Sequence, residues 1–102
     1  MIEVKKRLNL SEEEVTGFCH RNHIRKLSLF GSVLSEKFTP ESDIDVLVEF
    51  EPDHIPGLIR LSGMELELGK IVGRKVDLRT PEDLSRYFRQ EVVESAEELY
   101  AG

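Results

Sequence analysis

A chain of 102 residues, 39% hydrophobic and 33% charged, fits one soluble globular domain with a modest core and leaves little room for a second. Its formal charge of -6, from 14 basic and 20 acidic residues, argues against a non-specific nucleic-acid binder, whose affinity rests on neutralising phosphates. The single cysteine, Cys19, excludes an internal disulfide and suits a reducing cytoplasm, while MIEVKKRLNLSEEE lacks a signal-peptide core and no stretch approaches the roughly 20 apolar residues of a membrane span.

Ser11, followed three residues later by Glu14, has the form of a capping box. A helix is predicted to follow, with Val15, Phe18 and Cys19 on its inner face and an end near Asn22. Cys19-His20-x-x-His23 has a metal-site look, but it falls at that helix end without a further clear ligand cluster and reads as ordinary polar surface. Residues 24–30 read as a short strand, broken by Gly31, after which Ser32 is placed to cap a helical turn running toward Phe38. Thr39-Pro40-Glu41-Ser42 is a turn by composition. Residues 44–50 form the strongest strand pattern, apolar on both faces at Val46, Leu47 and Val48, and are therefore expected at the centre of a sheet. Pro52 ends that strand, and His54 falls in a loop.

From Pro56 to about Val72, Leu58, Leu61, Met64 (or Glu65), Leu68 and Val72 recur at helical spacing, with Gly69 and Gly73 as stops. Residues 75–79 suggest a third strand. Thr80 and Pro81 open a further helix, and 84–100 look helical with a break near Arg89. The order of elements predicts a small α/β sandwich, helices packed on a three- or four-stranded sheet, in one domain spanning 1–102. So small a core leaves room for a partner subunit to cover part of the surface.

The chemistry concentrates in LFGSVLSEKFTPESDIDVLVEF, residues 29–50. Residues two apart on a strand project from the same face, so Asp43 and Asp45 point together at the mouth of an apolar strand. Two adjacent carboxylates repel, and the simplest neutraliser is a hard cation bound through oxygen; magnesium takes one or two carboxylates plus waters and substrate phosphates. Gly31-Ser32 supplies a bend where backbone can approach a ligand, and the N–H groups of a following helical turn, with the Ser32 hydroxyl, suit a triphosphate. Asp77 is the candidate third acid, although Lys75, Asp77 and Arg79 alternating with Val76 and Leu78 equally describe a half-exposed strand.

Gly31-Ser32, then Asp43-Ile44-Asp45 leading an apolar strand, then Val76-Asp77-Leu78 resembles the polymerase-beta type nucleotidyltransferase superfamily. More narrowly, the chain resembles its minimal, single-domain (MntA-like) members from prokaryotic toxin–antitoxin pairs, over residues 24–100. The resemblance implies a mixed-sheet, palm-like fold, ATP as substrate and two magnesium ions. It places the β- and γ-phosphates on Gly31 and Ser32, metal on Asp43, Asp45 and Asp77, and AMP transfer to a tyrosine of a HEPN-type RNase toxin. The chain departs from the common Gly-Ser-x-Ala-Arg-Gly pattern in reading Gly31-Ser32-Val33-Leu34-Ser35-Glu36, which removes one counter-charge for the triphosphate. That departure favours an alternative, an antitoxin that neutralises its toxin by direct binding with the nucleotide site weak or inactive. Transfer to RNA or a small molecule is disfavoured, because larger relatives use substrate domains for which 102 residues leave no room.

Overall fold

The computed structural model describes residues 10–34, 39 and 41–102, the side chain of Ser32 excepted. Helix α1, Glu12–Arg21, begins as the sequence predicts: the Glu14 N–H donates to Ser11 Oγ at 3.4 Å, and three glutamates occupy the first turn, where the helix dipole favours negative charge. It ends at Asn22, whose Nδ2 donates to the Phe18 carbonyl at 2.8 Å. Val15, Phe18 and Cys19 are buried against the sheet. Burial pushes the Cys19 thiol up to about 12, leaving a packing group without nucleophilic character.

Strands β1, Ile24–Phe30, and β2, Ile44–Phe50, have the predicted limits and pair antiparallel, Phe30 opposite Asp45. Helix α2, Leu58–Val72, crosses to β3, Val76–Arg79, which runs parallel to β2. Helix α3, Arg86–Ser95, leads to β4, Glu97–Ala101, antiparallel to β1. Among the described residues the result is three helices on a four-stranded mixed sheet in the order β3-β2-β1-β4, with β2 central as expected. Phe18, Leu27, Leu29, Val46, Val48 and Leu68 are almost fully buried and form the heart of the core. Among the described residues, no helix is long and apolar enough to cross a membrane.

The structure corrects the sequence reading at three places. Residues 84–100 are not one helix with a break near Arg89: Pro81–Asp83 form a separate 3-10 turn capped by Thr80, and α3 starts only after Ser85, whose Oγ accepts the Tyr87 N–H. Arg89 holds that junction together, donating to the carbonyls of Pro81 at 2.7 Å and Leu84 at 3.2 Å. The helix stops at Ser95, and Glu97–Ala101 extend along β1, which would otherwise expose an unpaired strand edge. Finally, Leu58 keeps helical spacing with Met64 and Leu68 yet is 84% exposed while they are buried, since spacing selects a face and not how far along it the sheet reaches.

The residue beside Met64 has a polar task. Glu65 is half-buried, and its Oε2 accepts the Leu78 N–H of the edge strand β3 at 2.8 Å. Glu65→Ala strands that donor and is expected to cost about 1–3 kcal/mol, read as a lower midpoint in urea at unchanged slope.

Candidate active site

β1 ends at Phe30, and Gly31 turns the chain off the sheet with φ of +78° into a four-residue 3-10 turn, Gly31–Leu34, anchored by fully buried Val33. The predicted extension of that turn, through Ser35, Glu36 and Lys37 to Phe38, lies outside the described residues, as does the Ser32 side chain. A Cβ on Gly31 would stand 2.3 Å from Asp45 Oδ2. The carboxylate therefore lies directly over the Gly31 backbone, and the glycine is required both by its left-handed φ and by this approach.

Asp45 occupies the middle of the constellation. On one side of β2 it pairs with Phe30, next to the bend; on the other it is in register with Asp77 on β3, about 4.8 Å away by ordinary strand spacing. Asp43 precedes the strand by one residue and shares the face of Asp45. Its approach is fixed: Ser42 N–H donates to the Thr39 carbonyl at 3.0 Å, and Arg74 donates to the carbonyls of Thr39 at 2.5 Å and Ser42 at 2.9 Å. The structure thus brings together Gly31, Asp43, Asp45 and Asp77, residues distributed over 47 positions of sequence, at one end of the sheet.

Among the described residues of the site, three carboxylates stand beside Lys75 and Arg79. The Asp45 carboxyl is held above its ordinary value first by burial, then by the negative charges of Asp77 and Asp43; Arg79 opposes them. Lys75 Nζ stands 3.8 Å from Asp43, and Arg79 donates to Asp77 at 3.2 Å, but these are exposed pairs of small energetic weight. Among the described residues Asp45 forms no ion pair at contact distance. Three carboxylates of the oxygen-donor kind that a hard divalent cation takes gather at this end of the sheet, although their oxygens do not all lie within 4.8 Å of one another.

This predicts a stability signature. A carboxyl raised in the folded state binds its proton more tightly there, so stability is lost as pH rises from the unfolded value of about 3.9 through the folded one. In metal-free buffer, Asp45→Asn is expected to melt a few degrees above the parent at neutral pH. The difference should close below about pH 4, where both chains are uncharged at this position.

Next to the bend lies a cleft of about 570 Å³, lined by Phe30, Gly31, Leu34, Phe88, Val92 and neighbours on α3. Sequence reasoning missed this wall, because nothing in the α3 pattern says which way it leans. Phe88, 61% exposed, presents a large apolar ring to this cleft. Elsewhere on α3, Arg89 is engaged by the Pro81 and Leu84 carbonyls, and Arg86 lies over the Tyr87 ring at 5.3 Å.

Comparison with known proteins points in one direction. A model of the nucleotidyltransferase domain matches residues 12–99. A Methanocaldococcus jannaschii chain carrying the name protein adenylyltransferase is 34% identical over 71 residues, 70% of this chain and 71% of the relative. A solved minimal nucleotidyltransferase superimposes with a TM-score of 0.71 at 27% identity, covering 93% of this chain and 94% of that one. A chain from the complex of tri-AMPylated Shewanella oneidensis HEPN toxin with MNT antitoxin shares the fold with a TM-score of 0.66 at 23% identity, over 93% of this chain and 73% of that one.

Proposed function

This chain belongs to the nucleotidyltransferase domain family, and from that premise we propose that it is a single-domain, magnesium-dependent protein adenylyltransferase. Its reaction is the transfer of AMP from ATP to a tyrosine hydroxyl of a HEPN-type toxin, which it silences as the antitoxin of the pair in the cytoplasm. The observation that carries the reading is Asp45, seated over the Gly31 backbone and flanked in register by Asp77, with Asp43 on the same face. The protein adenylyltransferase name of the archaeal relative and the AMPylated HEPN toxin in the solved complex support the choice of donor and acceptor.

In this reading Asp43, Asp45 and Asp77 would hold magnesium, which would supply positive charge against the triphosphate. Gly31, having no side chain, lets the β- and γ-phosphates approach the backbone, and Ser32 follows it in the same turn. Phe88, Leu34 and Val92 offer the adenine an apolar wall in the adjoining cleft. The tyrosine oxygen bonds to the α-phosphorus as the bond to the bridging oxygen breaks, and pyrophosphate departs. Asp77, beside Asp45 and open to the solvent side, takes the hydroxyl proton. Catalysis is then chiefly alignment and charge compensation, as in other phosphoryl chemistry.

The test is to incubate the protein with α-labelled ATP, magnesium and its HEPN-type partner. Label on a partner tyrosine, removed by chelation, is the expected result. Neutralisation of the toxin without ATP and without label would replace transfer by masking through contact.

A further inference from the structure

At the other end of the same two strands lies a second cluster of titratable groups, which the proposed reaction does not use. Ile24 pairs with Phe50 there, six residues from Phe30, so the two ends stand about 20 Å apart. Backbone bonds converge on it: Glu51 N–H donates to the His23 carbonyl at 3.0 Å, and His54 N–H donates to the Glu51 carbonyl at 2.9 Å. His23 adopts φ of +55°, the sole non-glycine residue with positive φ among the described residues, a conformation that costs a side-chain-bearing residue energy. The side chains meet as well. His23 and His54 rings stack at 3.8 Å with an interplanar angle of 16°. Both Nδ1 atoms face Glu51 Oε2, at 3.4 Å and 3.8 Å.

We propose that His23, Glu51 and His54 form a binding site for a divalent transition metal of the zinc class. Two imidazoles and one carboxylate are a ligand set that zinc uses with an open fourth position. With bonds of 2.0–2.2 Å in a tetrahedron, nitrogen and oxygen ligands lie about 3.4 Å apart; His23 and Glu51 already have that separation, and the exposed His54 ring must turn out of its stack on His23 for both Nδ1 lone pairs to aim at one ion. One ligand atom from each of the three residues falls within 4.8 Å of the others, and all three side chains remain open to solvent, so an ion can enter without unfolding. The neutral imidazole is the ligating form. Magnesium, which seeks oxygen donors, is not matched to a site with two nitrogens. Binding would tie the first residue before β1 to the first residue after β2 and to the turn Pro52–His54, a clip remote from the proposed transfer site.

The full chain is titrated with zinc, and with cobalt as a spectroscopic probe. Expected are saturable zinc binding that raises the melting temperature, visible cobalt bands of tetrahedral intensity, and no displacement by excess magnesium. His54→Ala and Glu51→Gln, both in exposed positions, should melt like the parent without metal and bind zinc at least about tenfold more weakly. Asp43→Asn with Asp45→Asn should keep the parent zinc affinity. The proposal falls if the parent shows no saturable zinc binding, if both ligand variants bind as the parent does, or if affinity disappears with the aspartate pair.

Discussion

Asp45→Asn should reduce AMP transfer at least about a thousandfold while leaving the protein folded, because it removes the carboxylate that lies between the Gly31 bend and the other two acids. Its Oδ2 stands over Gly31, its backbone is in register with Phe30 and Asp77, and its charge is coupled to Asp43 and Asp77. Asparagine keeps the shape and loses the anionic donor that a hard cation needs. The same substitution is expected to raise thermal stability in metal-free buffer, so loss of activity and gain of stability would appear together. Single-turnover transfer to the partner, measured beside a melting curve, reads both. Activity within tenfold of the parent would remove Asp45 from the mechanism.

The second large effect is expected at Gly31, and the fold supplies its control. Gly31 and Gly73 have nearly the same left-handed backbone, φ of +78° and +77°. They differ in surroundings: a Cβ at Gly31 meets the Asp45 carboxylate at 2.3 Å, whereas at Gly73 nothing lies within 4 Å. Gly73→Ala therefore bears only the conformational cost, about 1–2 kcal/mol, as the left-handed cap of α2, and should transfer AMP normally below its melting temperature. Gly31→Ala bears that cost and must also displace Asp45, so transfer should fall by two orders of magnitude or more, about 3 kcal/mol in the barrier. Denaturant titration and transfer rates on the two variants separate backbone strain from damage to the site. Equal activity in both would show that the close approach at Gly31 has no part in the chemistry.

Much of this architecture was legible in the sequence because its signals are local. Ser11 with Glu14 announces α1, and the continuous apolar run 46–48 announces a strand covered on both faces. The i, i+2 spacing of Asp43 and Asp45 is a geometric statement before any coordinates exist. What was hidden depends on partners distant in the chain. Glu-Glu-Leu-Tyr-Ala, residues 97–101, contains good helix formers, and only the open flank of β1 makes it a strand. The cleft wall at Phe88 exists because α3 packs beside Gly31, and the meeting of His23 with His54 spans 31 residues with no motif to mark it. Conversely, Cys19-His20-x-x-His23 looks like a unit on paper, but its thiol is buried and His20 lies edge-on to Tyr100.

The parallel pairing of β2 with β3 sets limits on how the gene can vary. Asp77 faces Asp45 because the crossover through α2 delivers Val76 opposite Ile44, a position held by the Ile44 N–H donating to the Lys75 carbonyl at 2.9 Å. Adding or deleting one codon between Gly73 and Val76 would turn the strand over, point Asp77 away and set an aliphatic side chain in its place. Length changes near residues 55–57, where the chain is largely exposed, carry no such penalty. Insertions and deletions should therefore be tolerated before α2 and selected against after it, although both connections are short.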